Sequence, residues 1–125
     1  MKELIIKKCM SCGAMVEVLQ DCNCKDCGIK CCGENMQILK PNSTDAAVEK
    51  HVPEYEISED KVIVKVNHVM EEEHYIEWIA MVSENSVCRK MLKPGEEAVV
   101  KFKYKPGSIL YAYCNKHGLW KKDVK

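Results

Sequence analysis

Four histidines and nine cysteines divide this 125-residue chain into two kinds of donor region. Seven cysteines fall between Cys9 and Cys32, and only Cys88 and Cys114 lie beyond residue 40. His51, His68, His74 and His117 all lie beyond residue 50. Clustered thiolates hold zinc or iron, and imidazole suits iron, copper and zinc. Two metal-bearing units of different chemistry are therefore expected. Cys114 and His117 are three residues apart across a turn, close enough to share one ion. His51 precedes Val52-Pro53, and His68 and His74 flank Val69-Met70-Glu71-Glu72-Glu73. This spacing fits a shared ion, and it fits separate surface or packing histidines as well. If the ion is shared, four imidazoles and a thiolate exceed the four ligands that tetrahedral zinc takes. Five donors on a six-coordinate iron leave one position for a small ligand, which suits redox chemistry on a diatomic molecule.

The elements that must position these residues read as strands. Lys61–Val66 is β-branched and partly alternating, Tyr75–Val82 is mostly apolar, and Ala98–Tyr104 alternates clearly. Ile109–Tyr113 follows a Pro106-Gly107 turn. Short strands with Pro/Gly punctuation predict a mainly β protein with a sandwich in its second part. Each histidine then falls at a strand end or in a loop, where a sandwich gathers functional side chains. A helical turn is expected over Asp45–Lys50. In the first part, Leu4–Ile6 and Val16–Leu19 read as strand pieces framing cysteine loops. The polar stretch from Lys40 to Asp45 sets a boundary, giving domains 1–40 and 41–125. A unit of about 40 residues cannot stabilise itself by burial alone, so a thiolate-bound metal is its expected staple.

The formal net charge is zero, which implies no general affinity for nucleic acid or membrane. Residues 44–85 carry eleven acids and three bases, and residues 89–125 carry ten bases and three acids. That asymmetry fits a solvated surface or strand-to-strand pairing, and it fits a field that orients a charged partner. The first apolar run, Leu4-Ile5-Ile6, is far shorter than a signal core, and no stretch is long enough to span a bilayer. A cytoplasmic location is expected. In a reducing compartment nine cysteines point to metal ligation more than to a disulfide framework.

Six motifs in order resemble the desulfoferrodoxin family, the two-iron superoxide reductases. They are Cys9-Met10-Ser11-Cys12-Gly13, Cys31-Cys32-Gly33-Glu34-Asn35-Met36, Glu49-Lys50-His51-Val52-Pro53, His68 through Trp78, Leu92-Lys93-Pro94-Gly95 and Tyr113 through Trp120. The resemblance implies a desulforedoxin-like (rubredoxin-like) N-terminal domain whose four thiolates, Cys9, Cys12, Cys31 and Cys32, hold iron, or zinc as isolated. It implies an immunoglobulin-like β-sandwich whose catalytic iron is held by His51, His68, His74 and His117, with Cys114 as axial ligand. By the same resemblance Glu49 is the loop carboxylate that can take the sixth position, and Lys50 is the cation that attracts superoxide and assists protonation. Reduction of superoxide to hydrogen peroxide, a rubredoxin-like electron donor and a homodimer are further implications. An iron–thiolate electron carrier and a zinc-stabilised binding module are the competing functions.

Three features depart from the family pattern. Val69 follows His68 where the family often has proline. Cys88 matches no ligand position and reads as a packed thiol. Asp21-Cys22-Asn23-Cys24-Lys25-Asp26-Cys27-Gly28 adds three cysteines in a loop the family varies. Cys24-Lys25-Asp26-Cys27-Gly28 repeats the form of Cys9-Met10-Ser11-Cys12-Gly13, so Cys24 and Cys27 are an alternative second pair for the N-terminal site.

Overall fold

Period-two alternation in the second half of the chain folds into two facing sheets. The computed structural model describes residues 3–24, 28–44 and 46–125. Its contacts group into two compact units, one covering Leu4–Lys40 and the other Pro41–Lys125 with Glu3.

In the smaller unit, β1 (Ile6–Lys8) lies between β2 (Met15–Glu17) and β5 (Gln37–Ile38), all antiparallel. β3 (Lys30–Cys31) and β4 (Glu34–Asn35) form a separate hairpin. Its two turn residues, Cys32 and Gly33, both have positive φ, 55° and 78°. Such turns match the twist of paired strands, and glycine meets the requirement without strain.

In the larger unit, β7 (Lys61–Lys65) is central in a sheet of order β10-β7-β6, with β6 at Glu54–Ser58 and β10 at Val99–Lys103. The facing sheet has the order β12-β11-β8-β9, built from β8 (Ile76–Ser83), β9 (Ser86–Met91), β11 (Ile109–Cys114) and β12 (Gly118–Asp123). All neighbours run antiparallel. Val62, Val64, Val100 and Phe102 from one sheet meet Ile79, Met81, Leu110 and Ala112 from the other in a single buried cluster. This is the β-sandwich core. A one-turn 3-10 helix, η1 (Val48–Lys50), precedes β6 and lies in the stretch where a helical turn was expected; Asp45 lies outside the described residues.

One irregularity matters for function. Tyr113 pairs with Trp78, but Cys114 pairs with Ile76, leaving Glu77 over as a bulge residue. The extra residue reverses the side on which β8 presents its first side chain. Ile76 thereby joins Cys114 in the core although it is an odd number of residues from Ile79.

In the larger unit three strands were missed by sequence reasoning: β6, β9 and β12; the two-residue strands β3, β4 and β5 of the smaller unit were missed as well. β6, β9 and β12 each lie at the edge of a sheet, and each carries charged residues. The reading of Cys88 as a packed thiol is corrected: the thiol is exposed. Cys88 sits on edge strand β9, which has a neighbour on one side only.

Leu110 is fully buried at the centre of the sandwich. Leu110→Ala is expected to cost about 2–5 kcal/mol, whereas Lys101→Ala on the exposed face of β10 should stay within about 0.5 kcal/mol. Urea denaturation midpoints at unchanged slope check both.

Candidate metal centres

At one end of the sandwich, four imidazoles form a closed ring of edge-on neighbours. Centroids are 4.8 Å apart for His51–His68, 4.5 Å for His68–His74, 5.0 Å for His74–His117 and 4.8 Å for His51–His117. Interplanar angles run from 67° to 87°. Cys114 completes the group, and one donor atom from each of the five lies within 4.8 Å of the others.

Local structure decides which nitrogen of each ring faces inward. His51 closes the η1 turn, and its Nδ1 lies 2.7 Å from the Ala47 carbonyl oxygen. A carbonyl only accepts, so Nδ1 carries the proton and Nε2 presents a lone pair. His68 follows the same logic, with Nδ1 donating to the Val69 carbonyl at 2.6 Å. His51 Nε2 faces His117 Nδ1 at 3.0 Å. Cys114 Sγ lies 3.5 Å from His68 Nε2 and 3.8 Å from His117 Nδ1. His74 Nε2 is buried and has no hydrogen-bond partner among the described residues. A buried polar atom left alone is unfavourable, and a metal bond would satisfy it. The donor set, the fixed tautomers and this orphaned nitrogen all fit a metal ion.

Four supporting residues had no role in the sequence reading: Asn115, Trp120, Gly118 and Glu71. Asn115 Oδ1 accepts from the Tyr75 N–H at 3.0 Å, and its Nδ2 donates to the Glu73 carbonyl at 3.0 Å. It thereby ties the chain on both sides of His74 to the residue beside Cys114. Trp120 stacks on His51 at 4.9 Å, and its Nε1 donates to the His117 carbonyl at 3.0 Å. The available signal was proximity: Asn115 lies between two ligand candidates and Trp120 three residues after one. Gly118 turns the chain after His117 with φ 82°, and a Cβ there would come within 3.0 Å of Thr44 Oγ1.

The four histidines also line an open cleft of about 490 Å³, together with Ala46, Ala47, Lys50, Val69 and Glu71. Cys114 is fully buried and is not on that lining. The imidazoles therefore form a floor with the sulfur beneath it. Lys50 is in the cleft wall; Glu49, its neighbour on η1, is exposed and does not line the cleft. Glu71, the last of these supporting residues, supplies the carboxylate of the wall and sits midway in sequence between His68 and His74. Its backbone is fixed by a two-way bridge to His74, with N···O distances of 3.0 and 3.1 Å.

The smaller unit gathers Cys9, Cys12, Cys31 and Cys32. Cys12 and Cys31 sulfurs are 3.6 Å apart, and those of Cys31 and Cys32 are 3.9 Å apart. Backbone N–H groups of Cys12 and Ser11 pull the Cys9 thiol down to about 6. Hydrogen bonds with Cys12, Cys9 and Cys32 push Cys31 up to about 12. Four thiolates cannot share this space without a cation, and one metal ion removes the conflict. Cys24 is disulfide-bonded and stands outside the cluster, and Cys27 lies outside the described residues.

The chain is similar to known proteins over nearly its whole length. The Desulfoferrodoxin family model matches residues 43–123. A desulfoferrodoxin homolog of Archaeoglobus fulgidus is 44% identical over 119 residues, covering 92% of this chain and 93% of the relative. The desulfoferrodoxin of Nitratidesulfovibrio vulgaris is 42% identical, covering 95% of each chain. The crystal structure of the superoxide reductase from Treponema pallidum superimposes with a TM-score of 0.72 at 26% identity, covering 97% of this chain and 99% of that one.

Burial lowers the pKa of His68 and His74 below the ordinary value of 6.5, and the neighbouring imidazoles push the same way. The unfolded chain therefore takes up protons that the folded chain refuses as pH drops below that value. Metal-free stability should be full above about pH 6.5 and decline below it. Urea midpoints measured across that range check this, and His68→Gln should flatten the decline. Asn115→Ala is expected to weaken retention of the bound ion by about tenfold or more, read by competition with a chelator.

Proposed function

Because the chain belongs to the desulfoferrodoxin family, we propose that it is a superoxide reductase, reducing superoxide to hydrogen peroxide at an iron held by His51, His68, His74, His117 and Cys114. The observation that carries this reading is the open floor of four imidazoles with a buried sulfur beneath. Five donors on one side and a cleft on the other suit a six-coordinate ion with one accessible position, which disfavours tetrahedral zinc. Iron, when bound, supplies the single electron.

The protein's own residues do the rest. Lys50 lends the cleft a positive charge that raises the local concentration of a small anion and stabilises negative charge developing there. The cleft is open to water, and Lys50 Nζ is the acid best placed to hand on a proton. Glu71 on the same wall partly offsets Lys50, so the cleft attracts a small anion without holding it tightly. Cys114 keeps its sulfur away from solvent, which preserves thiolate donation to the ion. Glu49 sits next to Lys50 on the one-turn helix η1, and its carboxylate would be the further oxygen donor that this turn could offer the ion.

The reaction consumes one electron per superoxide, so an outside donor must restore the iron. We assign that role to a rubredoxin-like protein, and the four-thiolate site, loaded with iron, is a second redox centre on the chain. A cytoplasmic homodimer completes the reading.

Pulse radiolysis of the iron-loaded chain tests it. Reduced protein should react with superoxide at a rate that falls with ionic strength. Lys50→Ala should slow that reaction by about tenfold or more and flatten the salt dependence. An iron-loaded chain inert toward superoxide pulses would overturn the assignment and leave electron carriage as its role.

A further inference from the structure

Cys22 and Cys24 belong to neither metal cluster. Both are exposed, and both are disulfide-bonded. Cys9, Cys12, Cys31, Cys32, Cys88 and Cys114 are all free, so the bonding is confined to the cysteine-rich insert. A cross-link within so short a segment closes only a small loop and constrains the unfolded chain little. Nor is it needed to hold the insert's stem. The Asp21 carboxylate already accepts from Lys7 Nζ at 3.1 Å and from the Cys22 N–H at 2.9 Å, and Lys7 is buried on β1. An exposed disulfide with little structural duty is of the labile, exchangeable kind.

We propose that Cys22 and Cys24 belong to a reversible thiol–disulfide couple that consumes hydrogen peroxide, giving the chain a second reductive activity directed at the product of its first. One reduced sulfur attacks peroxide; the O–O bond breaks, water leaves, and the sulfur becomes a sulfenic acid. A second insert thiol displaces hydroxide from that sulfur, forming the S–S bond and a second water. Two thiols lose two electrons and two protons, and one peroxide becomes two waters. A small external dithiol restores the couple by exchange, leaving as its own disulfide. The local source of peroxide rests on the superoxide reductase reading; the chemistry of the couple does not.

The test uses the full iron-loaded chain, reduced with a dithiol, freed of excess, and given peroxide directly. Alkylation and peptide mass analysis then report each cysteine. Cys22 and Cys24 should become protected as disulfide while Cys88, also exposed, stays alkylatable. The double variant Cys22→Ser/Cys24→Ser should lose most dithiol-driven peroxide turnover and keep its reaction with superoxide pulses. The proposal is overturned if Cys22 and Cys24 remain alkylatable, if Cys88 oxidises as fast, or if the double variant retains full turnover, which would assign that turnover to the metal. A chain whose insert responds to peroxide but whose iron ignores superoxide would refute only the parent reading.

Discussion

Five electron-pair donors aimed at one point repel one another, and the larger unit depends on what reverses that repulsion. The donor atoms lie within 4.8 Å of each other, and one of them, His74 Nε2, is buried with nothing to accept from among the described residues. A buried acceptor without a partner costs about 1–3 kcal/mol. A cation at the centre would turn the repulsion among the donors into attraction. The carbonyls of Ala47 and Val69 matter because they fix imidazole protons on the outer nitrogens, leaving the inner ones bare. The thiol cluster obeys the same rule with sulfur: Cys9 is drawn toward thiolate while Cys31 is held protonated, a split that a metal would erase.

The sandwich makes this crowding tolerable by supplying rigid anchors. Cys114 ends β11 within the buried core, and His117 follows in the turn to β12. The bulge at Glu77 lets β8 begin with Ile76 facing inward, and Asn115 ties the loop carrying His74 to that strand end. Trp120 braces His51 from outside the ring while holding the His117 carbonyl. Above this floor, Lys50 and Glu71 give the cleft both signs of charge, so an anion is drawn in without being trapped.

The strands of the sandwich legible in the sequence are central ones with buried faces, together with edge strand β10, whose run Val100-Lys101-Phe102-Lys103 alternates apolar and charged residues. β7, β8, β10 and β11 fall where the pattern put them. β9 and β12 escaped because they are edge strands whose adjacent charged residues, Arg89-Lys90 and Lys121-Lys122, break the apolar–polar alternation that β10, also an edge, keeps. Edge strand β6 alternates too, but on only two apolar residues, Tyr55 and Ile57. The histidines were visible as residues, but their common focus was not, since sequence spacing says nothing about which loops meet. Motif resemblance supplied that focus. It did not reveal Asn115, Trp120 or Glu71 as supports, because their work consists of contacts with backbone and rings. Cys88 was misjudged because an edge position cannot be read from composition.

The two donor sets differ in how far apart their members lie along the chain. Cys9, Cys12, Cys31 and Cys32 span a short N-terminal stretch, whereas His51 and His117 are separated by most of the sandwich. During synthesis, which proceeds N-terminus first, every sulfur of the first set leaves the ribosome before the first histidine of the second. The imidazole ring joins His51 to His117, a contact between residues far apart in the chain. The order of synthesis thus completes the thiolate set on the nascent chain well before the last histidine of the second set has been made.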